Sequence, residues 1–252
     1  MQSIRSRIVR SLKIRGTDAF FFKEIHMKAY FTKTDRLLWL GSVAAILGAA
    51  WIFDSRDPLS IIASLIGVTS LILNAKGHPS GQVLMVVFSI LYGIISYSCA
   101  YYGEMITYLG MTAPMAVVAL IAWLRNPYQK GKAEVAVAGI HRKDLWLMLA
   151  LTVAVTAVFY FILASCNTAN LIPSTLSVST SFAAAYLTYK RSPWFALAYA
   201  ANDVVLIVLW ILQSMTETSY VSVTVCFAVF LVNDVYGFIS WRKMEKRQLK
   251  KT

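Results

Sequence analysis

The sequence predicts an all-α, polytopic membrane protein, and three observations carry that expectation. Of 252 residues, 58% are hydrophobic and only 14% are charged, an apolar share larger than a soluble domain of this size can hide. The apolar residues gather into runs long enough to cross about 30 Å of hydrocarbon. The Lys and Arg residues fall between alternate runs, not within them.

Eight runs follow one another along the chain: Leu37 to Phe53, Leu59 to Ala75, Gln82 to Tyr101, Met105 to Leu124, Leu145 to Ala164, Leu171 to Tyr189, Trp194 to Gln213 and Ser219 to Trp241. Turn residues and charges punctuate them, as in DSRDP, KGHPSG, RNPYQKGK, KRSP and SMTET. Ahead of the first run lies a basic arm, residues 1–36, with no apolar stretch of the kind a cleavable leader needs. Its Ile4, Ile8 and Leu12 share helical spacing among Arg and Lys, which fits a short helix on an anionic membrane face or a disordered arm whose charge fixes topology. Of the 24 Lys and Arg residues, all but Arg56 lie in the arm, in the loops after spans two, four and six, or in the tail 242–252. Basic loops stay on the cytoplasmic side, so both termini are expected there.

A weak duplication groups the spans. Ser64 to Asn126 runs SLIGVTS, KGHPSG, a Tyr-rich span, the short acidic loop YGE, and a span ending WLRNP. Ser177 to Lys243 runs SVSTSFA, KRSP, a polar-centred span, SMTET, and a span ending WRK. Two parallel three-helix repeats, 59–126 and 171–241, with the fifth span (145–164) between them, fit this pattern. The first span, 37–53, has no strongly polar residue and is expected to be a peripheral helix facing lipid.

The spans are interrupted by two Asn-Asp pairs, Asn202-Asp203 in FALAYAANDVVLIVLW and Asn233-Asp234 in FAVFLVNDVYGFISW. A carboxylate at membrane depth costs several kcal/mol on insertion scales and generally faces a bundle interior or a wet cavity. No Lys or Arg lies inside a span to neutralise either acid. Helical spacing places Tyr199, Asp203 and Trp210 on one face, with Asn202 and Gln213 beside it, and Phe227, Asp234 and Trp241 on another, flanked by Asn233 and Tyr236. Span three adds Gln82, Ser89 and Ser96 with Tyr92, span two adds Ser60, Ser64, Ser70 and Asn74, and span six is rich in Ser and Thr. These stripes are expected to converge on a central cavity. Carboxylates, amides and aromatic faces together suit a flat, cationic, hydroxyl-bearing solute, although Ser, Thr and Asn also bond helix to helix.

Other classes are disfavoured by what the chain lacks. Its net charge of +12 is spread over loops and tails and not gathered on a face with stacking aromatics, so nucleic acid is not an expected partner. Cys99, Cys166 and Cys226 have no metal or disulfide spacing, and no catalytic residue, metal site or cofactor is expected. No HExxH, GxSxG or P-loop pattern supports an enzyme; general acid and base work by the intramembrane Asp residues remains a remote alternative.

At these residues the sequence resembles the PnuC-type bacterial nicotinamide riboside transporters. The likeness is carried by NAKGHPSGQ, YGIISY, YYGEMITYLGMTAPM, AANDVVLIVLW and NDVYGFISWRKM, and spans most of Ser64 to Met244. It implies a 3+1+3 core related to the SWEET sugar carriers, often with an added N-terminal helix, assembled as a homotrimer in the cytoplasmic (inner) membrane. It also implies uptake of nicotinamide riboside by facilitated diffusion, made one-way by a cytoplasmic riboside kinase. Relatives carry thiamine, so another cationic vitamin, or proton-coupled transport, stays open. The positions that match the family's pattern are the two Asn-Asp pairs, Trp210, Asn74, Gln82 and the region of Glu104. The expected polar contacts are Asn202, Asp203 and Asn233, with Trp210 and Tyr92 stacking and Asp234 holding Asn233; Asn74, Gln82, Tyr199 and Gln213 complete the candidate set.

Overall fold

The computed structural model describes residues 31–54, 57–98, 102–129, 132–168, 170–216 and 218–250; the amphipathic pattern at Ile4, Ile8 and Leu12 lies outside them. Among the described residues there are eight long helices: α1 Lys33–Ile52, α2 Pro58–Ala75, α3 Ser80–Ser98, α4 Tyr102–Arg125, α5 Arg142–Ser165, α6 Leu171–Tyr189, α7 Trp194–Ser214 and α8 Val221–Leu249. Seven of them are long and apolar enough to cross a membrane. The exception by composition is α6, whose Ser and Thr side chains lower its hydropathy. Those hydroxyls are satisfied within the bundle, either by carbonyls one turn back, as for Thr175 and Thr188, or by another helix. The outward faces fit lipid: on α5, Trp146, Val153 and Phe161 are each about 70% exposed.

Local signals set the helix ends. Thr32 and Asp35 form a reciprocal capping box at the start of α1. Asp57 caps α2, its carboxylate accepting from Ser60 N at 2.8 Å, and Pro58 occupies the first turn. These hydrogen bonds hold the Asp57 carboxyl below its ordinary range. Within α4 the regular pattern widens into a π turn over Tyr108–Thr112. Pro114 follows at once; it has no N–H to give the preceding turn, and one extra residue is accommodated there.

The turns after α2 and α6 have the same shape. Gly77 (φ 65°) and Arg191 (φ 60°) are both left-handed. His78 N donates to Leu73 O and Ser192 N to Leu187 O, each at 3.0 Å. At the neighbouring lysines, Lys76 Nζ lies 2.7 Å from Asp35 of α1, and Lys190 Nζ lies 2.7 Å from Asp144 of α5. We refer to this end of the bundle as the basic end and to the other as the far end. Between α4 and α5 a connecting strap closes the basic end, with Val135 N donating to Gly77 O and Ala138 N to Arg191 O, both at 3.0 Å. Gln248 on the last turn of α8 clamps this strap, receiving Val137 N at 2.8 Å and donating to Val135 O at 3.1 Å and Glu134 Oε1 at 2.8 Å.

Two features add to the expectations. The basic tail is helical through Leu249, as a continuation of α8. And α1, although Leu37, Leu40 and Trp51 face outward, is not merely peripheral: it packs on α2 and α8. Asp35 is almost fully buried, receives the hydroxyl of Tyr236 on α8 in a short hydrogen bond, and pairs with Lys76. Trp39 Nε1 donates to Thr69 on α2, and Ser42 accepts from Asn233 on α8. These partners come from other helices, so α1's own sequence did not reveal them.

Candidate functional site

A small cavity of about 40 Å³ lies at mid-length among α2, α3, α4, α6, α7 and α8. Its polar wall belongs to the second half of the chain: Ser181 of α6, Tyr199, Asn202 and Asp203 of α7, and Asp234 of α8. The opposite wall is apolar and aromatic, with Leu71, Met85, Phe88 and Tyr108 facing Phe227 and Phe230. The π turn of α4 brings both Tyr108 and Thr112 to this wall. Phe88 and Phe230 meet edge-on with centroids 5.7 Å apart, and Gly67 makes room for them. A Cβ there would sit 2.5 Å from Phe230 and 3.1 Å from Phe88.

Asp203 and Asp234 line the same cavity, and Asp203 Oδ2 has no hydrogen-bond partner among the described residues. Neither Lys nor Arg lines the cavity. Asn202 Oδ1 accepts from Thr180 Oγ1 at 2.7 Å and Ser181 Oγ at 3.1 Å, which leaves its amide NH2 as the donor on offer.

The remaining candidates lie elsewhere. Asn233 is buried beside the cavity but turned toward α1: its Nδ2 donates to Ser42 Oγ at 2.9 Å and to Val229 O at 2.8 Å. The carbonyl can only accept, so the amide orientation is fixed and Oδ1 is the atom left without a partner. Asp234 therefore does not hold the Asn233 side chain; Ser42 does. Asn74 and Gln82 are paired with one another, Gln82 Nε2 to Asn74 Oδ1 at 2.9 Å, in the turn at the basic end. Tyr92 and Trp210 lie toward the far end, where the Tyr92 ring is 4.4 Å from Tyr108 and its hydroxyl lies against the Trp210 indole. Gln213, near the end of α7, does not reach the cavity. Helical periodicity marks a face but not what covers it, so buried amides that bond one another look like ligand contacts in sequence.

The region of Glu104, which the resemblance marks, sits differently from its sequence reading. Glu104 was expected in a short outer loop, but it belongs to the first turn of α4 and is only 6% exposed. The signal was present in YYGEMITYLG, where Tyr108 falls one helical turn after Glu104.

Long apolar helices around a small cavity, with acids and amides beside aromatic rings, fit a polytopic membrane transporter. Comparison with known proteins places it more closely: the chain belongs to the family described as "Nicotinamide mononucleotide transporter", whose profile matches residues 57–243. It is similar to the nicotinamide riboside transporter PnuC of Neisseria mucosa, with 25% identity over 215 residues, covering 83% of this chain and 81% of that protein. The nicotinamide riboside transporter PnuC of Haemophilus influenzae is 22% identical over 216 residues, covering 85% of this chain and 92% of that one. The crystal structure of the vitamin B3 transporter PnuC shares the fold with a TM-score of 0.75 at 20% identity, covering 94% of this chain and 99% of that one. These relatives are transporters and not enzymes.

Proposed function

We propose that the protein carries nicotinamide riboside across the bacterial cytoplasmic membrane by facilitated diffusion, with capture by a cytoplasmic kinase making uptake one-way. The observation that carries this reading is the presence of Asp203 and Asp234 together in a cavity wall that holds no Lys or Arg, which favours a cationic solute such as a pyridinium. Asn202 supplies a donor for a ribose hydroxyl or the carboxamide oxygen, and Tyr199, Tyr108, Phe88 and Phe230 supply ring faces. The same composition favours the riboside over the mononucleotide: a phosphate needs Lys, Arg or a free helix N-terminus, and the cavity wall offers acids instead.

Ligand pockets commonly measure about 300–1,000 Å³, so a cavity of about 40 Å³ has to expand before it holds a riboside. Eight spans arranged as an N-terminal helix plus a 3+1+3 core of parallel, SWEET-like repeats, with both termini cytoplasmic, would supply that movement by rocking one repeat against the other. The matching turns at Gly77 and Arg191 support the repeats. The names of the relatives support the substrate, and the resemblance supports a homotrimer.

Calorimetry of purified protein with nicotinamide riboside, nicotinamide, the mononucleotide and thiamine tests the assignment. Binding of the riboside alone, lost in Asn202→Leu with thermal stability retained, is the expected result. Preference for thiamine keeps the cation logic and changes the substrate. The two intramembrane acids favour one further reading, proton-coupled uptake; dependence of uptake on a pH gradient at clamped voltage would establish it in place of uniport.

A further inference from the structure

Glu104 is a buried carboxylate that the central cavity does not use. Its Oε2 makes no hydrogen bond among the described residues, and none of the ion pairs among them involves it. An acid in a transmembrane helix that serves only to hold the fold finds a donor, because an unsatisfied carboxyl at that depth is costly. Its surroundings are aromatic. Tyr108 lies one turn further along α4, and Tyr92 packs on Tyr108 with centroids 4.4 Å apart. Tyr108 also lines the central cavity. The α4 backbone behind Glu104 is closed off, since a Cβ on Gly103 would meet Thr168 and Leu163 at 2.8 and 2.9 Å.

We propose that Glu104, Tyr92 and Tyr108 form a staging site for a flat organic cation at the far end of the central cavity. It rests on the reading of the solute as a pyridinium riboside. The carboxylate attracts the ring's positive charge, the two tyrosines, packed on one another here, part to receive its faces, and Tyr108, which belongs to both sites, passes it to Asp203 and Asp234. The π turn lies at this handover and gives α4 a place to re-aim Tyr108.

Glu104→Gln keeps the shape and removes the charge, and Glu104→Asp restores the charge one carbon short. In proteoliposomes loaded with the riboside kinase and ATP, with riboside outside, Glu104→Gln is expected to raise the uptake KM about tenfold. Equilibrium affinity by calorimetry should stay within about twofold of the parent, and Glu104→Asp should recover most of the uptake. Parallel loss of affinity and uptake would assign Glu104 to the central site or to folding and overturn the proposal, as would unchanged uptake in Glu104→Gln. A parent protein that neither binds nor moves the riboside refutes the substrate reading instead, and the same variants assayed with thiamine then decide the staging site.

Discussion

Trp123 and Trp241 reach across the bundle in matching ways: Trp123 Nε1 donates to Thr188 O of α6 at 2.9 Å, and Trp241 Nε1 donates to Asn74 O of α2 at 2.7 Å. Each indole closes a helix end in the other half of the chain, and their rings lie 5.3 Å apart with Phe195 against both. Both stand near the ends of the apolar runs, yet both are fully buried, at about 1% exposure or less. Trp123→Phe and Trp241→Phe keep a ring and delete the donor, so each should lower stability by about 1–3 kcal/mol. Near-equal shifts in detergent thermal unfolding would verify the correspondence; a large inequality would refute it.

The two lysine pairs should separate in the opposite sense. Asp35 is shut away from solvent and Lys76 is 15% exposed, whereas Lys190 and Asp144 are 29% and 25% exposed. Removing one partner of a buried pair costs about 3–5 kcal/mol, whereas solvent screens an exposed pair and leaves it little to contribute. Lys76→Met is therefore expected to loosen α1, seen as faster proteolysis around residues 31–36, while Lys190→Met leaves α5 in place. Asp144 holds Lys190 above its ordinary value of 10.5, so that pair's contribution is present below this value and fades only as alkaline pH rises through the raised one.

His78 gives the turn at the basic end an acid sensitivity. Its Nδ1 accepts the Ser80 N–H at 3.2 Å, which requires the neutral ring, and burial lowers its pKa from the ordinary 6.5. The unfolded chain then binds the proton first. Stability contributed by neutral His78 is complete above 6.5 and declines as pH falls from there through the lowered folded value. Thermal unfolding between pH 7.5 and 5 should show this decline in the parent and a shallower one in His78→Asn.

Gln248 tests the strap. Gln248→Ala removes its bonds to Val135, Val137 and Glu134 together. Amide exchange across Val135 to Ala138 should accelerate by about tenfold or more, with α2 and α6 unchanged. Exchange at the parent rate would show that the backbone bonds to Gly77 and Arg191 are enough to hold the segment.

Much of the fold was legible because helices in a membrane must satisfy their own backbone, which leaves long apolar runs and turn residues as the record. The starts of α6 and α7 match the sequence reading, and α6 was found despite its hydroxyls. At the site, Asp203, Asp234, Asn202 and Tyr199 were legible because acids and amides without basic partners have few places to go. Asn74 with Gln82, and Asn233 with Ser42, were not, since each pairing joins residues on different helices. Glu104 was misplaced because α4 begins earlier than its apolar run.

The strap between α4 and α5 also sets a stroke length. Ala138, anchored to Arg191, follows Val135, anchored to Gly77, by three residue steps, and an extended chain spans at most about 3.3–3.6 Å per step. The two turns can therefore draw apart by no more than this leash of about 10 Å permits, and any wider gape at the basic end has to strip one anchor first.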